Sequence, residues 1–250
     1  MKKTILLMLS VIFSVSMFSQ IPPIVEVTEF EVKDQAKAFE LMNSWKDLEK
    51  SIVENAPRIF LLSEMDGNTI YFCRAFDTMD EVTKYRQTRW GDNGWNSKVN
   101  EKWREKVGGN PWAGTGANIV MNHIYRMRMD LSYIPEGTNL SEELPNNLYR
   151  RHVNIDVDWG KRNEFIANFK EGIENDKKLN NDYIRFMFQT MYGGEDGAEF
   201  MMVVLGESRA SYFKDLEERN KKRQNDPDWN RIQAEPIATW VSEQSLMITY

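Results

Sequence analysis

The stretch NLYRRHVNIDVDWGKRNEFIANF, from Asn147 to Phe169, decides the fold. It begins with strict alternation: Val153, Ile155 and Val157 fall on one face, and Arg150, His152, Asn154 and Asp156 on the other. A period of two marks a strand with one buried face. From Lys161 the spacing changes, and KRNEFIANFKEGIENDKKL reads as a helix. Near the front, IVEVTEFEVKDQAKAFELM (Ile24 to Met42) makes the same switch. An alternating strand leads into a helix with Ala38, Leu41, Trp45, Leu48 and Ile52 at helical spacing, and Asp34 stands where an N-cap belongs. The chain starts its pattern twice.

The same series follows each start. In the first half, PRIFLLSEMDGNTIYFCRAFD reads as two strands around the turn signal Asp66-Gly67-Asn68. A second helix begins near Met79-Asp80, and NIVMNHIYRMRMDL closes the half as a strand. In the second half, DYIRFMFQTMY, the turn GGEDG and AEFMMVVLGE give two strands. SRASYFKDLEERNKKRQ gives a helix and IATWVSEQSLMITY a last strand. Trp95-Asn96 and Trp229-Asn230 sit at matching places after each second helix. Residues 21–130 and 147–250 are thus expected to be two β-α-β-β-α-β repeats. Residues 131–146, with Pro, Gly and Asn and no periodicity, read as the linker.

A β-α-β-β-α-β unit lays a four-stranded antiparallel sheet under two helices and leaves its other face bare. Two bare faces can pack around a lumen. On this order of elements the chain resembles the dimeric α+β barrel superfamily, whose ferredoxin-like units pair through their sheets. Here one α+β chain would supply both halves of a pseudo-dimer. The superfamily includes cofactor-free monooxygenases, haem-degrading enzymes, lactone isomerases and proteins without known chemistry. The resemblance carries no catalytic signature, and fold alone does not choose among these activities.

The opening MKKTILLMLSVIFSVSMFSQ has two lysines, a 14-residue apolar run from Ile5 to Phe18, and Ser19-Gln20. A membrane-spanning helix needs about 20 apolar residues. Residues 1–19 therefore read as a signal peptide, and the mature chain as soluble and exported to the periplasm or beyond. Losing Lys2 and Lys3 takes the formal charge from −6 to −8. Such an acidic chain is a poor polyanion binder, because phosphate contacts need clustered cations. Arg150-Arg151 and Lys221 to Arg223 are short groups hemmed by acids. The one cysteine, Cys73, lies in the apolar strand TIYFCRAF and reads as a buried thiol.

Chemistry is sparse. GGNPWAGTGAN (Gly108 to Asn118) lacks the lysine and spacing of a phosphate loop and reads as the loop into the fourth strand. Asn154, Asp156 and Asp158 imitate the start of a calcium loop. However, the glycine comes one residue late, and Phe165 stands where the bidentate glutamate belongs. His152 and Asn154, with Arg150, are expected to face the lumen if Val153, Ile155 and Val157 face helices. His123 could face either way, since Ile119, Met121 and Tyr125 share its side. Each histidine reads either as a general base or iron ligand, with haem as a possible cofactor, or as a hydrogen-bonded structural residue. Arg74 is expected in the lumen if Phe72 and Phe76 also face it. Trp90, Trp95, Trp103 and Trp112 crowd into 23 residues and would either line a flat-ligand pocket or cap the sheet. The reading that results is a small, flat or apolar ligand bound between two repeats. Its rivals are an oxygenase, isomerase or haem-associated enzyme of the same fold, and a non-catalytic interaction module. The sequence leaves the oligomeric state open.

Overall fold

The computed structural model describes residues 22–91, 93–110, 112–193, 197–232 and 237–249. The expected signal segment 1–19 lies outside these residues, as does the middle of the GGEDG turn. Eight strands form one closed antiparallel barrel: β1 (Ile24–Glu31), β2 (Arg58–Glu64), β3 (Thr69–Phe76), β4 (Asn118–Met127), β5 (Tyr149–Val157), β6 (Arg185–Tyr192), β7 (Phe200–Gly206) and β8 (Ala238–Thr249). Around the barrel they run β1-β3-β2-β8-β5-β7-β6-β4, and β4 pairs back with β1. Each half of the chain therefore supplies one unbroken arc, β4-β1-β3-β2 or β8-β5-β7-β6. The arcs meet along two short ladders, Leu61–Glu64 against Leu246–Thr249 and Ile124–Met127 against Phe188–Tyr192.

Alternation sorts each strand's residues into two layers. Inward go Val25, Val27, Tyr71, Cys73, Tyr125, Phe186, Phe188, Val203 and Ile248, which pack as one lumen cluster. Outward go residues that meet the helices: Val153, Ile155 and Val157 pack with Met187 of β6, Phe200 of β7 and Phe165 of α5 (Arg162–Lys178). In the first half, Ile59, Leu61, Ile70 and Phe72 pack with Ala38 and Met42 of α1 (Gln35–Ile52). The side chain of Asp34 caps α1 by accepting from the Lys37 amide at 3.0 Å.

One expectation needs correction here. The single second helix of the first half is split into α2 (Met79–Gln87) and α3 (Trp95–Val107). Between them, Gly91 takes a φ of 92°, which side chains resist, and Gly94 is the cap of α3. The stretch 131–146, read from sequence as the linker, runs between β4 and β5. It holds α4 (Leu140–Asn146), whose Leu140 and Leu144, with Ile134, pack against the lumen cluster. Tyr133 also bridges to Arg185 of β6. The connection between the halves is thus a cover on the barrel. The second half adds α6 (Arg209–Gln224) and α7 (Pro227–Ile232).

Candidate functional site: the barrel lumen

The lumen holds a mainly apolar cavity of about 190 Å³. Val25, Val27, Leu62, Phe186, Phe188 and Val203 line it, and α4 contributes Leu144. Its polar wall comes from Arg58, Tyr71, His123, Tyr125, Arg150, His152 and Gln244. Register explains why they meet. His123 pairs with Val27, so both point the same way, and His152 sits opposite Val203 on one side and Gln244 on the other.

His152 is buried, and that burial, with the charge of Arg150 adding to it, pulls its imidazole down to about 3. At neutral pH it is uncharged, a donor and acceptor rather than a base poised near 7. Arg150 donates to the carbonyls of Asn147 and Tyr149, which ties it to the turn entering β5. His123 lies 3.2 Å from a carboxylate oxygen of Glu29 and stacks on Tyr125 with centroids 5.7 Å apart. Gln244 donates to the Tyr71 hydroxyl at 2.7 Å. Tyr71 and Gln244 escaped the sequence reading. They sit in apolar or mixed strands, and only the closure of β8 against β2 and β5 brings them into one wall. Cys73 lines the same cavity, where burial pushes its thiol well above the usual range against the opposing charge of Arg74.

Of the six residues singled out from sequence, His123, Arg150 and His152 line the cavity. Asn154 is buried on the same strand and donates to Ser242 of β8 at 3.0 Å. Arg74 and Trp95 are elsewhere. Arg74 shares a strand face with Phe72 and Phe76, as expected, but that face looks toward the helices. There its guanidinium makes two 2.8 Å bonds to Glu49 and stacks 4.4 Å from the Phe72 ring. Burial opposes the charge of Glu49, yet Arg74, Tyr85 and Trp45 hold its carboxyl below the usual range. Trp95 packs beside Tyr85 at 4.8 Å, with its indole nitrogen donating to the Tyr85 carbonyl. Trp103 lies between Trp45 and Trp112, at 5.1 and 4.9 Å. These rings sit in the helix layer; Trp90 alone of the four is exposed.

No protein-family model and no curated protein matches the chain. Solved structures do. A candidate monooxygenase from Fusobacterium nucleatum covers 92% of this chain and 94% of its own, with TM-score 0.53 and 12% identity. One from Lactobacillus acidophilus aligns at TM-score 0.51 and 8% identity, over 91% and 94%. An anthrone oxidase-like protein aligns at 0.52 and 9%, over 91% and 92%. This chain shares with them a mixed α+β fold built on an eight-stranded antiparallel barrel. At these identities the likeness concerns architecture alone.

Haem does not fit this lumen. Ligand pockets for drug-sized molecules span about 300–1,000 Å³, and a tetrapyrrole belongs with such ligands, whereas the cavity is about 190 Å³. Both histidines of the chain point into this smaller space.

Proposed function

We propose that the chain is an exported binding protein made of two ferredoxin-like repeats, and that its lumen takes a small, mostly apolar, single-ring molecule. The observation carrying this reading is the cavity itself. A cavity of about 150 Å³ lined by apolar side chains admits benzene, and this lumen offers about 190 Å³ with polar groups on its wall. A phenol would place its ring among Phe186, Phe188 and Val203 and its hydroxyl against neutral His152 or the Tyr71–Gln244 pair. The repeat reading rests on the matching arcs β4-β1-β3-β2 and β8-β5-β7-β6, each in the 4-1-3-2 order of one unit. The export reading rests on residues 1–19.

Para-cresol is a suitable probe. Val203 lines the cavity and is buried, so Val203→Trp fills the space. Saturating p-cresol should raise the melting temperature of the native protein and leave folded V203W unchanged. Equal shifts, or none in either, would refute lumen binding.

A second reading, a cofactor-free oxygenase, draws on the names of the solved neighbours. It needs a base to activate substrate, and a His152 held at about 3 is weak in that role near neutral pH. Oxygen uptake with a phenolic or anthrone-type substrate, lost in His152→Gln, would favour this enzyme over the binder.

A further inference from the structure

A second, larger cavity of about 590 Å³ lies outside the barrel, between the outer face of β5–β7 and helices α5 and α6. Among the described residues, four arginines and no acid line it. Register assembles the floor: Arg151 of β5 and Arg185 of β6 both pair with Val204 of β7, so they flank it on one face. Helix α6 supplies the roof, since Arg219 and Arg223 follow Tyr212 and Leu216 at helical spacing on its sheet-facing side.

The charge on this cluster is only partly met. Glu243 holds Arg151, with Nε bonded at 2.7 Å, and Asp176 holds Arg223 at 2.7 Å. Asp176 reaches Arg185 only at 3.6 Å. The Nε and Nη2 of Arg185 and the Nε of Arg219 are buried without a hydrogen-bond partner among the described residues. Both side chains are more than nine-tenths buried. A buried donor left unpaired is costly and calls for an explanation. The guanidiniums also gather on rings: Arg219, Arg223 and Arg185 lie 4.4, 5.6 and 5.7 Å from the Tyr183 ring.

We propose that this cavity is a binding site for an aromatic carboxylate, with the carboxylate between Arg185 and Arg219 and the ring against the apolar wall. Two guanidiniums in excess of their acids call for an anion, and a paired, planar donor set suits a carboxylate. The wall of Phe165, Phe169, Met202, Leu216 and Trp240 calls for a flat apolar body. The volume is that of a drug-sized ligand, so this site is separate from the lumen and independent of it.

The test is calorimetric titration with 2-naphthoate, its neutral analogue 2-naphthamide, and inorganic phosphate. Naphthoate should bind about tenfold or more tightly than the amide, since it alone pairs with the arginines. Arg219→Gln should lose about tenfold in naphthoate affinity while melting about as the native protein does, because the lost ring contact with Tyr183 is offset by removing a buried Nε–H that has no partner among the described residues. A merely structural arginine would do the reverse. Equal affinity for acid and amide, no naphthoate binding at millimolar concentration, or unchanged binding by R219Q would overturn the site. Phosphate binding as tightly as naphthoate would overturn the aromatic part. The acid–amide comparison uses the native protein and stands even if a variant misfolds.

Discussion

Acidification should cost this protein stability, and one side chain, His152, carries a share of that cost that can be separated from the rest. Its imidazole sits at about 3 in the fold, against an ordinary value of 6.5, because burial and Arg150 both disfavour the charge. Below 6.5 the unfolded chain takes up a proton that the folded one refuses, so stability falls as pH drops from 6.5 toward 3. Each unit is worth about 1.36 kcal/mol. Between pH 7 and pH 4.5 the loss from this one group is therefore about 2.5 kcal/mol. For a chain of this size that corresponds to roughly 5–10 °C in melting temperature. Carboxylates titrate over the same range, so the measurement must be a difference. Urea unfolding followed by tryptophan fluorescence, at pH 7 and pH 4.5, compares native protein with His152→Gln, which cannot take the proton. The native protein should lose about 2.5 kcal/mol more than the variant. If the two lose the same within about 0.5 kcal/mol, His152 is not a buried neutral imidazole, and its placement against the lumen is wrong.

Other outcomes follow from the same geometry. Glu49→Gln leaves the buried Arg74 guanidinium without its carboxylate and should destabilise by about 3–5 kcal/mol; denaturant titration checks this, and a loss under about 1 kcal/mol would mean the pair is effectively solvated. Leu140→Ala thins the cover that α4 lays on the lumen and should cost about 2–5 kcal/mol. The same change should speed modification of the lumen thiol Cys73 by a disulfide reagent; an unchanged labelling rate would show that α4 does not control access. Mass spectrometry of the extracytoplasmic fraction should find a mature N-terminus near Gln20. Recovery of the chain from cytosol with Met1 intact would refute export.

The alternation in IVEVTEFE and YRRHVNIDV and the helical spacing after each were enough to order the strands and main helices, because period and caps are local properties. Gly91 and Gly94, which split the second helix, were also visible, but a break between two helices and a kink within one look alike in sequence. Which side each strand face would meet was not local. Arg74, Phe72 and Phe76 share a face whichever way the strand turns, and only the packing of α1 and α2 makes it the helix face, where Glu49 waits. His123 was undecided for the same reason until its pairing with Val27 turned it inward. The short groups Arg150-Arg151 and Lys221-Lys222-Arg223 carried no sign of clustering along the chain. Arg151, Arg185, Arg219 and Arg223 come from two strands and a helix, and closure of the second half's sheet under α6 gathers them into one cavity. Periodicity along the chain thus determined which residues travel together, while the pairing of strands and the seating of helices, which join residues far apart in sequence, decided what each face encloses.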